Sequence, residues 1–422
     1  MNTKTQDKKL IITMLSDSPF IPTGFSNQSK LLAKYLREQG HEVHYLANAY
    51  NGAVISHAKL QDGTTFDYKI YGEMIHSYFQ NQISEHLKKT KSDIFYILLD
   101  TFMVFPWFLN IDTSPAKVIF WYPSDGGAGM PKGCENILKK VDVPVAMSEF
   151  GQKQVFDYYG IKTEHIPHGI EPKRFYKMPD QQRIELRNRL GLNDKFVIGV
   201  VARNQPRKML DKTLKTMFLL KDKIPNAVLL LHLDPNDPAR CMDLNDLISR
   251  FNLENRVIFT GMKANEGFDW DKMNEVYNVM DCFFLSTSGE GFGIPIIESM
   301  ACQVPVVATS YTTTPELVEK NNAGFGIKLA GCEEVPYAEF FNMKSKDYDD
   351  KVVNGTTTGG WMVERGIIDC QDAADKIVRL FKDDQLRKVM GVNGRKAVES
   401  KYDFEKHVGP AFEKIFYGDN NG

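Results

Sequence analysis

From residue 9 onward, short apolar runs alternate with stretches of helical period. LIITML at 10–15 gives way to a loop and a helix through Lys30 to Glu38, then HEVHYLA at 41–47, DIFYILLD at 93–100 and AKVIFWY at 116–122. The alternation restarts after residue 195 with KFVIGVVAR, AVLLLHLD, RVIFTG, MDCFFLS and VPVVATS, each separated by a helical segment. Strand-length apolar runs spaced by helices predict βαβ units on a parallel sheet, and two such series predict two doubly wound α/β domains. The break falls in EPKRFYKMPDQQ at 171–182, where two prolines and a cluster of charges end the apolar period as a surface linker does. The expected domains are therefore 1–175 and 185–395, with a last helical stretch, 396–422, packing back on the first. Two such sheets facing one another leave a cleft, and ligands of open α/β sheets bind at the carboxyl ends of the strands. The polar run from Cys332 to Gly360, containing DYDD and NGTTTGG, reads as a long surface insertion.

The loop with the most chemistry is STSGEGFGIPIIESMACQVPVVA, Ser286 to Ala308, lying between two strands. Gly291 and Gly293 let a backbone approach a ligand closely, and Pro295 suits the first helical position, so a helix is expected to start just beyond the glycines. Unpaired amides and the helix dipole there make an anion site suited to a phosphate. Glu290 precedes this loop and Glu298 falls in the first helical turn. As acceptor-only groups, Glu298 suits the two hydroxyls of a ribose and Glu290 those of a sugar beside the reacting carbon. A tight turn with a dipole-complementing glutamate is the plainer alternative. Against it stands VVARNQPRK, which puts Arg203 and Lys208 on the loop after the first strand of the same domain. Fixed cations there would stabilise charge growing on a leaving phosphate. Arg207 beside them reads equally well as a solvated basic residue.

Taken together these residues resemble the retaining glycosyltransferases of the GT-B fold, family 4 type. In that family an arginine and a lysine on the first loop of the second domain bind the donor diphosphate, and two glutamates eight apart frame a glycine-rich loop. Arg203, Lys208, Glu290 and Glu298 match these one by one. GHEVHYLA, SEFG at 148–151, IPHGIE at 166–171 and TTTPELVEKNNAGFGIKL at 312–329 extend the resemblance over most of the chain. It implies GT-B architecture, two Rossmann-like domains facing across a cleft. It also implies transfer of a hexose-type sugar from a nucleotide diphosphate sugar to an acceptor hydroxyl with retention of anomeric configuration. The donor-binding set is then Gly24, Arg203, Lys208, Glu290, Gly291, Phe292, Gly293, Ile294 and Glu298. Three positions depart from the family pattern. PTGFSN offers Gly24 followed by Phe25 where two glycines are common, Met209 stands where glycine is common, and Glu171 where aspartate is usual.

On the acceptor side, the loop WYPSDGGAGMP follows a strand of the first domain, and Asp125 is its carboxylate. In the enzymes this chain resembles, a polar residue after this strand contacts the donor sugar or lies near the reacting centre, which makes Asp125 the candidate for orienting the sugar or handling a proton, with an Asp-Gly turn as the alternative. His168 in IPHGI is a second candidate, with a purely structural role as its alternative. The catalytic set is then Glu290, Asp125, Arg203 and Lys208. No carboxylate pair is placed for a double displacement, which favours a same-face reaction in which the leaving phosphate helps deprotonate the acceptor. Phe102, Phe105, Trp107 and Phe108 suit core packing, or contact with a sugar or a lipid chain.

Composition narrows the partners. Lys and Arg number 52 against 54 for Asp and Glu, so no charge excess points to nucleic acid. Six scattered cysteines without a CxxC pair suit unpaired thiols in a reducing compartment, and the polar, lysine-rich start carries no apolar leader, so a cytoplasmic location is expected, with peripheral membrane contact left open. DYDD at 347–350 lacks strand context and is read as solvated surface rather than a metal site. No cofactor and no essential metal are expected, since the cations and the helix N-terminus already supply positive charge. A glycan, a lipid, a protein or a small molecule would each serve as acceptor. Other readings are a nucleotide-sugar epimerase, a sugar phosphorylase or a non-catalytic nucleotide- or sugar-binding module. The missing GxGxxG after either first strand speaks against a dinucleotide dehydrogenase.

Overall fold

The two series of strands and helices form two parallel sheets, each in its own compact unit. The computed structural model describes residues 8–59, 64–72, 82–130, 133–237, 240–264, 266–336 and 362–418. One unit takes the chain as far as Ser124, together with Gly129–His168 and the segment from Phe404 onward; the other holds Asp125–Ala128 and Gly169–Asp403.

The sheet of the first unit is built from β1 (Ile11–Asp17), β2 (Glu42–Asn48), β5 (Lys69–Gly72), β6 (Ile94–Leu98), β7 (Lys117–Tyr122), β8 (Val143–Ala146) and β9 (Glu164–His165). Their order is β5-β2-β1-β6-β7-β8-β9, parallel throughout. A small ribbon, β3 (Ala58–Lys59) with β4 (Thr65–Phe66), stands apart from it. Every residue of β6 is buried, as a parallel strand covered on both faces requires. The chain's direction across the sheet reverses at β1 and β6, and the loop after β1 leads into α1 (Gly24–Glu38). Thr23 caps that helix, its hydroxyl accepting from the Ser26 amide at 3.1 Å. Four more helices follow: α2 (Ile83–Thr90), α3 (Thr101–Phe108), α4 (Glu135–Lys140) and α5 (Glu149–Tyr159). Trp107 and Phe108 of α3 are buried. The last helix, Gly409–Tyr417, packs in this unit: Phe412 meets Trp121 edge-on at 4.8 Å and Tyr96 at 5.6 Å. Gly409 lies so close to the Tyr35 ring that a Cβ would meet it at 2.6 Å.

In the second unit β10 (Phe196–Val201), β11 (Ala227–His232), β12 (Val257–Phe259), β13 (Cys282–Leu285), β14 (Val306–Thr309) and β15 (Gly324–Ile327) form a parallel sheet in the order β12-β11-β10-β13-β14-β15. Helices α6 (Asp180–Arg189), α7 (Leu210–Leu220), α8 (Leu244–Arg250), α9 (Trp270–Asn278) and α10 (Ile294–Ala301), with Cys370–Lys382 and Asp384–Ala397, accompany it. One core joins Ile198 and Val200 of β10, Leu214 and Met217 of α7, Leu229 of β11, Phe284 of β13 and Ile377 of the helix Cys370–Lys382. Burying six or seven such side chains at about 2 kcal/mol each is the main force holding helices to sheet.

Two expectations need correction. The crossing between units falls at His168–Gly169, upstream of the linker expected at 171–182. The charged linker is docked, not free: Phe175 is buried edge-on against Trp270 and Tyr277, and the amides of Tyr176 and Met178 donate to Asn274 and Asn278 of α9. The polar run beginning at Cys332 is described only at its start. Its first five residues belong to β16 (Leu329–Pro336), an exposed strand that pairs antiparallel with β17 (Met362–Ile368). DYDD and NGTTTGG lie outside the described residues.

Candidate active site

At the carboxyl end of β10 the chain turns through Arg203 and a 3₁₀ turn, Pro206–Lys208, before α7 begins. Met209 between them has φ 47° and ψ 49°, a left-handed conformation that glycine adopts without cost. The side chains of Arg207 and Lys208 leave this turn together and close on one carboxylate. Arg207 Nη1 donates to Glu290 Oε2 at 2.7 Å and Lys208 Nζ to Glu290 Oε1 at 2.5 Å. The turn is fixed to the loop carrying Glu290: the Arg207 carbonyl accepts from the Ser288 amide at 2.7 Å and from the hydroxyls of Thr287 and Ser288 at 3.2 Å. Ser286 bonds the carbonyls of Lys208 and Met209 at 3.0 and 2.9 Å.

Burial governs the charges here. It raises the Glu290 carboxyl, but Arg207 and Lys208 outweigh it and hold the group down at about 2. Lys208 is pushed down to about 8 by burial and then by Arg207, with Glu290 and Asp125 opposing. Among the described residues no cation bonds Glu298 in this way. Burial lifts it to about 7 against the hydrogen bond from Tyr277 Oη at 2.5 Å. One glutamate is thus a fixed anion and the other titrates near neutrality.

Between the two glutamates Gly293 takes φ 101° and precedes α10, with Pro295 at the second helical position rather than the first. Glu298 stands fifth in this helix, one residue deeper than expected and just past its first turn. The segment from 312 braces the loop: Thr312 Oγ1 accepts from the Glu290 amide at 2.9 Å, and Thr313 Oγ1 donates to the Phe292 carbonyl at 2.7 Å. Phe292 is buried edge-on against Tyr402, whereas Gly291 and Ile294 are partly exposed around the helix start.

The remaining candidates separate. Arg203 is half-exposed and bonds the buried Asp237 twice, Nε to Oδ2 at 2.6 Å and Nη2 to Oδ1 at 3.2 Å. Asp125, expected with the first domain, belongs to the second unit, where Arg365 of β17 grips it. Gly24 is the first residue of α1 in the first unit. His168 is buried there edge-on to Trp121 at 4.2 Å, and burial pushes its imidazole down to about 3, which keeps it neutral. Sequence reasoning gave Arg207 no more weight than a solvated residue, and it passed over Tyr277, Asp237 and Arg365. Of these, only Arg365 left a trace, as an inward position in the alternation of MVERGII. Among the described residues no group of three or more His, Cys, Asp or Glu side chains is arranged to hold a metal ion, and no helix is long and apolar enough to cross a membrane.

Residues 182–330 match the family model for glycosyl transferases group 1. The mannosylfructose-phosphate synthase of Agrobacterium fabrum is 28% identical over 181 residues, which cover 41% of this chain and 38% of that protein. The capsular polysaccharide biosynthesis glycosyltransferase CapM of Staphylococcus aureus is 29% identical over 234 residues, covering 56% of this chain and 49% of that one. The matches thus span half the length of these relatives or less. Among solved structures, HepE of Anabaena in complex with UDP and glucose superposes with a TM-score of 0.67 at 16% identity, covering 96% of this chain and 99% of that chain. The fold is therefore GT-B, with two Rossmann-like domains.

Proposed function

Since residues 182–330 match the family model for glycosyl transferases group 1, we propose that this protein moves a hexose from a nucleotide diphosphate sugar to an acceptor hydroxyl with retention of configuration. The observation that carries the reading is the pair of buried glutamates flanking the α10 start: Glu290 clamped by Lys208 and Arg207, and Glu298 held apart on Tyr277. In this reading the diphosphate lies at the amino end of α10, where free amides and the dipole favour it. Lys208 faces the leaving phosphate, and its charge counts for most when the glycosidic bond has begun to break. Glu290, already ionised, accepts from hydroxyls of the transferred sugar. Glu298 accepts from the ribose, and Arg203 on the same turn offers a further cation to the diphosphate. Asp125 orients the sugar or takes the acceptor proton. Attack comes from the same face, with the departing phosphate helping to deprotonate the acceptor. HepE was solved with UDP and glucose, which supports a nucleotide diphosphate as the first ligand to try.

The test is calorimetric titration with UDP, GDP and ADP in a chelating buffer, followed by NMR of the product formed from the matching sugar donor. One nucleotide is expected to bind without metal, and Glu298→Ala to weaken it by about 1.5 to 3 kcal/mol through loss of charge-assisted bonds. Failure of all three to bind, or an inverted product, overturns the reading or its stereochemistry respectively.

A further inference from the structure

The ribbon of β16 and β17 belongs to none of the motifs that suggested a function, yet three successive residues of β17 touch the site. The Gly366 amide donates to the Ser288 carbonyl at 3.0 Å, tying the strand to the loop that carries Glu290. Arg365 is almost fully buried and directs its guanidinium at Asp125: Nη1 donates to the Asp125 carbonyl and Nη2 to Oδ1 at 3.3 Å. Glu364 secures the residues that follow Asp125. Its carbonyl accepts from the Gly127 amide at 3.1 Å, and its carboxylate accepts from the Tyr311 hydroxyl at 2.8 Å, which in turn accepts from Gly127 at 2.9 Å.

The glycines around this junction are explained by the same packing. A Cβ on Gly289 would meet the Asp125 carbonyl oxygen at 2.0 Å and Arg365 at 2.9 Å. One on Gly126 would meet Val363 at 2.3 Å, and one on Gly127 would meet the Glu364 carboxylate at 2.3 Å. Asp125 is thus laid directly over the residue preceding Glu290, close enough for its charge to act on Lys208. A planar guanidinium that bonds both the carbonyl and the carboxylate of one residue fixes the direction of that carboxylate, which an ammonium does not.

We propose that Arg365 is a positioning residue, supplied by the β16–β17 ribbon, that holds the Asp125 carboxylate in register with Glu290 and Lys208. This rests on the glycosyltransferase reading and adds to it the group that sets its reacting carboxylate. A salt bridge of purely structural value predicts a different result, so the experiment is a double-mutant cycle on turnover. Kinetics and nucleotide affinity are measured for the wild type, Asp125→Asn, Arg365→Met and the double variant. Expected are a fall in kcat of about tenfold or more for Arg365→Met, nucleotide affinity within about twofold of the wild type, and a double variant no slower than Asp125→Asn alone. Arg365→Lys is expected to recover only part of the rate, and it carries the same test should Arg365→Met fail to fold. Losses that multiply in the double variant, or a kcat unchanged by Arg365→Met, overturn the assignment while leaving the glycosyltransferase reading intact. A wild-type chain that transfers no sugar removes both.

Discussion

Glu290 and Glu298 stand eight residues apart and have opposite electrostatics, and the difference is made by their neighbours. Replacing Glu290 with Gln leaves the buried Lys208 and the partly buried Arg207 around a neutral amide. Removing one partner of a buried ion pair costs about 3 kcal/mol or more, and denaturant titration at neutral pH is expected to show a loss of that order, accompanied by loss of turnover. The group lies at about 2 in the folded chain against an ordinary 4.5, so its stabilising contribution is complete above pH 4.5 and drains away as pH falls toward 2. Glu298 runs the other way. Its folded value, near 7, lies above the ordinary 4.5, so its contribution is complete below pH 4.5 and is lost as pH rises through 7. Glu298→Gln is therefore expected to raise the melting temperature at pH 7.5 and to leave it unchanged at pH 4.5. In the wild type, nucleotide affinity should increase over the window in which unliganded stability declines, because only the ionised carboxylate accepts from both ribose hydroxyls. Calorimetry at pH 6 and pH 8 checks this, and equal affinities would contradict the ribose role.

A short turn and a short helix carry most of the site. The turn Pro206–Lys208 ends in left-handed Met209, and α10 begins after left-handed Gly293. At Gly293 an alanine would be strained by its backbone angle, and its Cβ would meet the Ile296 side chain at 2.9 Å. Gly293→Ala is expected to cost about 1 to 2 kcal/mol from the backbone alone. It should also shift the α10 amides and so weaken nucleotide binding, which melting curves with and without nucleotide separate from simple destabilisation. The glycine-rich loop was legible in the sequence because such a backbone leaves a composition signal. The cation that completes the Glu290 clamp was not, because Arg207 on a surface-like loop looks the same in sequence whether or not a carboxylate waits across from it. Arg203, the better match to the family pattern, pairs instead with Asp237 from a different loop.

At the scale of the molecule, the segment that completes the first unit comes from the far end of the chain. Phe412 is fully buried between Trp121 and Tyr96. Phe412→Ala is expected to destabilise the first unit by about 3 to 5 kcal/mol. In thermal unfolding followed by hydrogen exchange, β6 and β7 should lose protection while β10 and β13 keep theirs. Uniform loss in both sheets would show that the two units unfold together. The same long-range closure brings Asp125–Ala128, flanked on both sides by residues of the first unit, into the second.

What the sequence determined by itself was whatever rests on local rules. Apolar period gave the strands and helices and their parallel pairing, glycine and proline marked the start of the helix proposed to hold the anion, and the spacing of Glu290 and Glu298 marked the residues framing it. Tertiary structure decided the partners: which cation meets Glu290, that Glu298 is left to desolvation and Tyr277, that Phe175 docks the presumed linker, and that a polar ribbon delivers Arg365 to Asp125. Each of these is a contact between residues far apart in the chain. Ionic and hydrogen-bonding pairs of that kind leave no periodicity behind, so only the folded chain reveals them.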